Sequence, residues 1–436
     1  MLKFPLVMKT IVPSVKGTRD FYPEEMVARA WLYQKMRQVS ESFGYQEYEA
    51  PLLETIELYA AKSGEELVNQ QSFVFSDRGG DLITLRPEMT PSLARMVAQR
   101  QKQLVFPLRW WSWGPFWRYE KPQKGRTREF FQWNIDLIGP DSPEADAEMI
   151  AIAATFFKTL GLTASDVVIQ INDRALINEE LAGLDVPVEK RPDVLTLIDR
   201  KSKMAPVEWD AYALEVGLSN GQLDRLKAIL ANNELWKKSP RLIAIFKALE
   251  AMGFQEYVRY DSGVIRGLLY YTSTVFEAFD LSGDVKRSIL GGGRYDNLMS
   301  DVGGDPLPAV GFAMGDLIIT LILQRLGLIP AEAAGSPAQV LVTAFDQQLL
   351  PASLALAHEL RQAGLKVIGY TEAGKLPRQF KFADRMKIRI AVVLGPDEYA
   401  QELVTVKDLA LGRQETVSRK LAAATIYKML ESRPAS

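Results

Sequence analysis

Cysteine is absent from the 436 residues, and histidine occurs once, at His358. The first absence excludes disulfides, thiolate nucleophiles and zinc sites built on sulfur. The second leaves His358 as the sole imidazole for a Ser-His-Asp relay. It stands in "PASLALAHELRQAG", whose apolar spacing reads as an ordinary amphipathic helix. No apolar run approaches the ~18 residues of a membrane-spanning helix. The opening "MLKFPLVMKTIVPSV" is interrupted by Pro5, Lys9 and Pro13, with no small-residue cleavage site after it, so the expected location is the cytoplasm. Neither sign of charge dominates: 52 basic residues face 54 acidic ones, a net charge of −2. Chemistry is thus left to carboxylates, Arg, Lys, Tyr, backbone groups and bound metal. Such groups suit reactions run by positioning and electrostatics, phosphoryl or nucleotidyl transfer among them.

What is present is an ordinary globular composition, 47% hydrophobic and 24% charged, over a length that gives about three domains. Residues 24–43 carry Ala28, Leu32, Met36, Val39 and Phe43 on one helical face, and Gly44 ends the helix. "YQEYEAPLLE" reads as a strand interrupted at Pro51. "FSDRGGDLITLRPEMTPSLARMVAQRQ" reads as turn, strand and helix, with Thr90 as N-cap and Pro91 as the first helical residue. Residues from about 173 to 256 are helical, Leu- and Lys-rich, and read as an insertion. Strand signals return in "GVIRGLLYYTSTVFEAFD" and "RSILGGGRYDNLM", before an apolar helix after Gly315. The Pro/Ala/Gly/Ser stretch at 329–339 marks a linker. Beyond it, "VLVTAF", "KVIGY" and "IAVVLG" alternate with helices as an α/β unit over 340–436. Its middle helix is basic, with Lys375, Arg378, Lys381, Arg385, Lys387 and Arg389.

The segment "RYEKPQKGRTREFFQWNIDLIG", Arg118 to Gly139, is the most unusual. Lys121, Lys124, Arg126 and Arg128 crowd a loop around Gly125. The strand that follows puts Gln132, Asn134 and Asp136 on one face and Phe131, Trp133, Ile135 and Leu137 on the other. Three polar side chains on one face of a buried strand mean either a hydrogen-bonded network or a binding floor. Left unsatisfied, each would cost roughly 1–3 kcal/mol. Arg118 could lie across the hairpin from that floor, where a guanidinium fork suits a phosphate.

The segment from Gly114 to Gly139 resembles motif 2 of the class II aminoacyl-tRNA synthetases, and specifically of the histidyl-tRNA synthetase family. "KGTRDFYP" resembles that family's opening signature and "TLRPEMT" its amino-acid-binding segment. "RGLLYYTSTVFEAF" and "LGGGRYDNL" resemble its two histidine-specific motifs, and the C-terminal α/β unit its anticodon-binding domain. The implied fold is α+β: an antiparallel sheet with flanking helices over 1–328, carrying the helical insertion, then the anticodon-binding domain.

The resemblance implies a ligase that activates L-histidine with ATP and passes the acyl group to histidine tRNA. Arg118 would hold the ATP α-phosphate, with Glu120 near the adenine. Glu88, Thr90 and Gln132 would take the α-ammonium and its neighbours. Asp136, with Tyr270 or Tyr271, would bind the imidazole nitrogens, which need an acceptor paired with a hydroxyl. Arg266 would be the histidine-specific arginine that neutralises the α-phosphate during attack. Lys121, Gln123, Lys124, Arg126 and Arg128 would meet the tRNA acceptor end, and the basic helix near 375–389 the anticodon stem. Gly291, Gly292 and Gly293 would let backbone approach the substrate. Mg²⁺ would arrive with ATP, on ligands that the residues do not name; no zinc or prosthetic group is implied. The motif 1 helix and strand imply a homodimer.

Four positions depart from the family's commoner pattern. Leu269 replaces an aspartate in RGLDYY, Phe131 a histidine before the glutamine, and Asp136 a glutamate. Ile318 stands in "GFAMGDLIIT" where motif 3 has the arginine that grips the γ-phosphate. The losses keep open a regulatory paralogue, a histidine-binding subunit of ATP phosphoribosyltransferase. Such paralogues typically lack the C-terminal domain and the arginines equivalent to Arg118, Arg126, Arg128 and Arg266. A class II ligase for another amino acid is the third alternative.

Overall fold

The computed structural model describes residues 11–60, 71–123, 125–267, 270–283, 287–330 and 336–432. Lys124 and Leu269 lie outside the described residues. The chain divides into two units, Met1–Asp20 with Trp31–Ile329 and Phe21–Ala30 with Pro330–Ser436.

In the first unit, Leu32, Met36 and Val39 recur at helical spacing and are buried along the helix Pro23–Ser42. Gly44 then takes a φ of +80°, which a side chain would resist. As Pro51 requires, "YQEYEAPLLE" splits into the short strands Gln46–Glu47 and Leu53–Thr55. They join different sheets.

Eight strands form the main sheet. Their spatial order is Gln46–Glu47, Leu108–Trp117, Glu129–Ile138, Ala309–Gly315, Leu290–Arg294, Thr274–Asp280, Val167–Asp173 and Val258–Tyr260. The two outermost pairings are parallel and the five inner ones antiparallel. One face of the sheet presents Trp111, Trp133, Ile135, Phe312, Met314 and Phe276 to the main core. The helix Pro143–Thr159 covers this face with Ala147, Ile150, Ala154 and Phe157. This helix, unforeseen above, is signalled by "SPEAD". Ser142 caps it by accepting from the Ala145 amide at 3.2 Å, and Pro143 supplies the first helical φ.

Thr90 is the first residue of the helix Thr90–Arg100 rather than its cap, a position taken by Met89 without a side-chain bond. Its hydroxyl is turned to Tyr270 instead. The insertion is built of the helices Arg174–Gly183, Arg191–Arg200, Pro206–Glu215, Asn220–Ala231 and Pro240–Ala251. Their Leu197, Trp209, Leu226 and Leu242 join the same core as the sheet, so the insertion is part of the first unit. A three-stranded sheet orders Leu53–Thr55, Leu82–Leu85 and Phe73–Ser76.

The second unit holds a five-stranded sheet ordered Val367–Gly369, Val340–Val342, Ile390–Val393, Leu403–Asp408 and Arg413–Ser418. The first three strands are the expected ones and pair in parallel; the last two add antiparallel pairings. Val340, Val392, Leu356, Val404 and Ile426 form its core with the helices Leu350–Gln362 and Ala422–Glu431. His358 is exposed on the first of these helices. The basic helix is shorter than its charge run and ends at Arg385. Arg389 is not a free cation: it pairs with the buried Asp408 at 2.8 Å and caps the carbonyls of Met429, Leu430 and Ser432.

Candidate active site

Register assigns the face of the main sheet opposite the core. Trp110 pairs with Asp136, Ser112 with Asn134 and Gly114 with Gln132. On the other side, Gly311, Ala313 and Gly315 pair with the same three polar residues. Gly293 and Gly291 lie beyond Gly311 and Ala313, then Val275 and Glu277. Partners in register share a face, so the floor is polar along one strand and carries nothing larger than the Ala313 methyl at the paired positions of the next two. The resulting trough is filled from the flanks. A Cβ on Gly311 would overlap the Asp136 carboxylate, and one on Gly291 would overlap the Arg266 guanidinium. One on Gly293 would sit 2.8 Å from Tyr271 Cδ1. Gly292 points the other way, against Phe312 and Phe276. The glycines at 291, 293 and 311 thus make room for the protein's own side chains.

The polar face is not a closed network. Gln132 Oε1 and Asn134 Nδ2 are buried with no hydrogen-bond partner among the described residues. At roughly 1–3 kcal/mol for each unmatched group, that arrangement favours the binding floor over the structural network. Asp136 is 5% exposed and accepts a hydrogen bond of 2.5 Å from Tyr295 Oη. Burial pushes its carboxyl up to about 7, and the Tyr295 hydroxyl acts in the opposite direction.

Three tyrosines wall this floor. Tyr270 lies 4.9 Å from the Tyr271 ring and 5.9 Å, edge-on, from Tyr295. Burial raises all three phenols, so each stays a neutral donor. Tyr270 Oη donates to Glu88 Oε2 at 3.3 Å, with Thr90 beside it. Glu88, Thr90, Asp136, Tyr270 and Tyr271 therefore converge, while Gln132 stands on the same face of the floor four residues along the strand from Asp136. The hydroxyl on Asp136 belongs to Tyr295, from "GGGRYD", a residue the sequence reading did not single out. The sequence carried the signal: in a strand ending at Arg294, the next residue falls where the floor begins.

Arg266 closes one end of the floor. It adopts a φ of +60°, a left-handed conformation costing a non-glycine residue of order 1–3 kcal/mol. Its guanidinium occupies the notch over Gly291, 5.5 Å from the centre of the Tyr271 ring. Nη1 donates to Glu277 Oε1 at 3.1 Å, while Nε is buried without a partner among the described residues. Glu277 was missed in the sequence. Burial raises its carboxyl, partly offset by the Arg266 cation. Lys203 and Asp199 of the helical insertion, 2.6 Å apart, act on the same carboxyl.

At the other end, Arg118 Nε donates to Pro87 O at 3.0 Å, and its guanidinium lies 5.4 Å from the Phe130 ring centre. Glu120 forms an ion pair with Arg126. Arg128 lies 4.0 Å from the centre of the Tyr119 ring, and its amide and that of Glu129 donate to Gly17 O. The opening signature thus anchors the base of the basic loop. Arg19 of the same signature pairs with Asp316 at 2.8 Å, and Asp316 also accepts from the Phe131 amide at 3.1 Å. A further arginine, Arg86, is fully buried beneath Gly114, bonded to Glu49 and to the carbonyls of Ala50 and Pro115. It holds the "TLRPEMT" turn. Lys121 and Gln123 stand on the loop, where the backbones of Gln123 and Arg126 bridge. Among the described residues, no group of three His, Cys, Asp or Glu side chains could hold a metal ion. No helix among them is long and apolar enough to cross a membrane.

Comparison with known proteins identifies a family for the chain. The family model described as histidyl-tRNA synthetase matches residues 17–316, and one described as an anticodon binding domain matches 339–429. A histidine–tRNA ligase of Haloarcula marismortui is 37% identical over 418 residues, 93% of this chain and 95% of that relative. The chloroplastic/mitochondrial histidine–tRNA ligase of Arabidopsis thaliana is 39% identical over 92% of this chain and 83% of its own length. The crystal structure of histidyl-tRNA synthetase from Nostoc sp. PCC 7120 superimposes with a TM-score of 0.81 at 26% identity, covering 96% of this chain and all of that one. With a family model matched over residues 17–316 and relatives at 37–39% identity along more than nine-tenths of its length, the chain belongs to the histidyl-tRNA synthetase family.

Proposed function

We infer that the chain is a histidine–tRNA ligase that forms histidyl-adenylate and pyrophosphate from L-histidine and ATP, then acylates histidine tRNA and releases AMP. The observation that carries the reading is the Asp136 carboxylate, oriented by Tyr295 and neighboured by the Tyr270–Tyr271 pair, on a floor of unmatched polar atoms. An imidazole has one protonated and one bare nitrogen, and needs an acceptor and a donor in one dry pocket. Asp136 is the acceptor, and a hydroxyl of the tyrosine wall the donor. Glu88, with Thr90 and Gln132, takes the α-ammonium. A site built this way rejects side chains lacking ring nitrogens, because its own buried groups would then go unpaired.

In the first step a substrate carboxylate oxygen attacks the α-phosphorus, and the bond to the pyrophosphate oxygen breaks. No proton has to be removed, so no general base is required. Arg266, aimed by Glu277 and the Gly291 notch, faces the charge that develops on the α-phosphate, and Arg118 faces it from the opposite end. Glu120 sits beside the adenine. In the second step a terminal ribose hydroxyl attacks the adenylate carbonyl. Mg²⁺ enters as part of the ATP substrate. Lys121, Gln123, Arg126 and Arg128 offer charge and donors to the acceptor end. Arg378, Lys381 and Arg385, exposed on the Leu376–Arg385 helix, offer charge to the anticodon stem.

The protein works as a homodimer in the cytoplasm, where ATP and tRNA meet. Leu52, Leu53, Val74, Phe75 and Leu82, each 40–50% exposed on or beside the three-stranded sheet, support a second copy as their cover. The regulatory paralogue is the weaker reading, since both units match relatives named as ligases. Charging of purified histidine tRNA with each amino acid in turn tests the assignment: histidine alone should be esterified. Absence of charging with histidine, or charging with another amino acid, would overturn it.

A further inference from the structure

Ile318 leaves the nucleotide end of the floor one arginine short, and the structure brings another to the same place. Ile318 is 6% exposed on the first turn of the helix Asp316–Arg325. The turn of the basic loop rests on it. Gly125 takes a φ of +80°, and a Cβ there would sit 2.9 Å from Ile318 Cδ1 and 3.8 Å from Arg287 Cδ. Arg287 therefore approaches the spot at which a side chain from position 318 emerges. It stands three residues before the strand Leu290–Arg294, not on the helix that carries Ile318.

The charges around this spot are unequal in their partners. Arg126 is tied to Glu120 and Arg19 to Asp316. Arg287 is half-buried and forms no ion pair among the described residues. Desolvation and the neighbouring Arg126 cation both lower its pKa, with Glu120 acting the other way. A guanidinium that pays desolvation beside a like charge is the arrangement expected where a polyanion binds.

We propose that Arg287 binds the terminal phosphate of ATP, taking over beside Gly125 of the basic loop the contact that an arginine at position 318 would make. The proposal rests on the ligase reading above. It implies that Arg287 and position 318 are alternatives: one arginine is needed, and either can supply it.

The test compares the affinities of a non-hydrolysable ATP analogue and of AMP, by calorimetry, in the unmodified protein, Arg287→Ala, Ile318→Arg and the double variant. Arg287→Ala should lower the advantage of the ATP analogue over AMP by roughly 10- to 100-fold, leaving AMP and histidine affinities within about twofold. Adding Ile318→Arg to Arg287→Ala should restore most of that advantage. An unchanged advantage in Arg287→Ala overturns the proposal. So does a loss that falls equally on AMP, or one that Ile318→Arg fails to recover. Should Arg287→Ala not fold, Arg287→Gln carries the same comparison. Failure of the ligase reading would show separately, as absent histidine charging by a protein whose nucleotide preferences still report on Arg287.

Discussion

Tyr295 Oη donates to Asp136 Oδ1 at 2.5 Å, from a residue 159 positions away. The bond fixes the orientation of a carboxylate that Gly311 leaves room for and that has no cation among its perturbing groups. Tyr295→Phe should therefore weaken histidine binding by roughly 10- to 100-fold, the worth of a hydrogen bond to a charged group. The KM for ATP should change little. Isothermal titration with histidine checks this, and an unaltered affinity would remove Tyr295 from the site.

Asp136 also makes stability depend on pH in a defined direction. Its ordinary value of 3.8 is raised to about 7 in the folded chain. Between these values the folded state binds more protons than the unfolded one. Its contribution to unfolding free energy accordingly falls as pH rises from 4 to 7 and is flat above. Relative to Asp136→Asn, the unmodified protein should lose stability across that window. Urea denaturation at several pH values measures the difference; parallel curves would show that the carboxyl is not shifted.

Gly291 has a role that a hairpin glycine would not. A Cβ there must displace the Arg266 guanidinium from its contact with Glu277. Gly291→Ala should thus cost nearly as much in adenylation kcat as Arg266→Ala, while circular dichroism and histidine affinity stay close to the unmodified protein. Activity within about threefold of the unmodified enzyme, well short of the ~100-fold expected for a misplaced charge-stabilising group, would contradict this role.

Phe75 tests the dimer. Placing a charge on the exposed apolar surface it shares with Leu53 should dissociate two copies. Phe75→Glu is expected to halve the mass seen by analytical ultracentrifugation. A mass unchanged from the unmodified protein would place the interface elsewhere.

Binding of tRNA should fall steeply with salt. Lys121→Ala, which removes one exposed cation of the basic loop, should reduce the slope of log K against log salt by about 0.7–0.9. A slope indifferent to Lys121 would leave the loop without the acceptor-end role proposed for it.

Much of this site could be read before any coordinates, because strand alternation is local. Gln132, Asn134 and Asp136 had to share a face, and Arg118 could lie across the hairpin from it. What could not be read was pairing across distance. Asp136 could have met any of several tyrosines, and register chose Tyr295. Glu277 looked like one acid in an apolar strand until the Arg266 guanidinium was found against it. The helix Pro143–Thr159 was obscured by its Ala- and Ile-rich, nearly uniform burial, which gives little amphipathic contrast. Arg389 belonged to a basic run in sequence and to a buried ion pair in space. The outer strands Leu403–Asp408 and Arg413–Ser418 escaped notice because their polar residues read as loop.

Histidine-dependent exchange of pyrophosphate into ATP, with Arg266→Ala beside the unmodified protein, bears most directly on the central claim. The account predicts exchange that requires histidine and falls by at least about 100-fold in the variant, with histidine affinity retained. Histidine binding without exchange in the unmodified protein, or full exchange in Arg266→Ala, would contradict it.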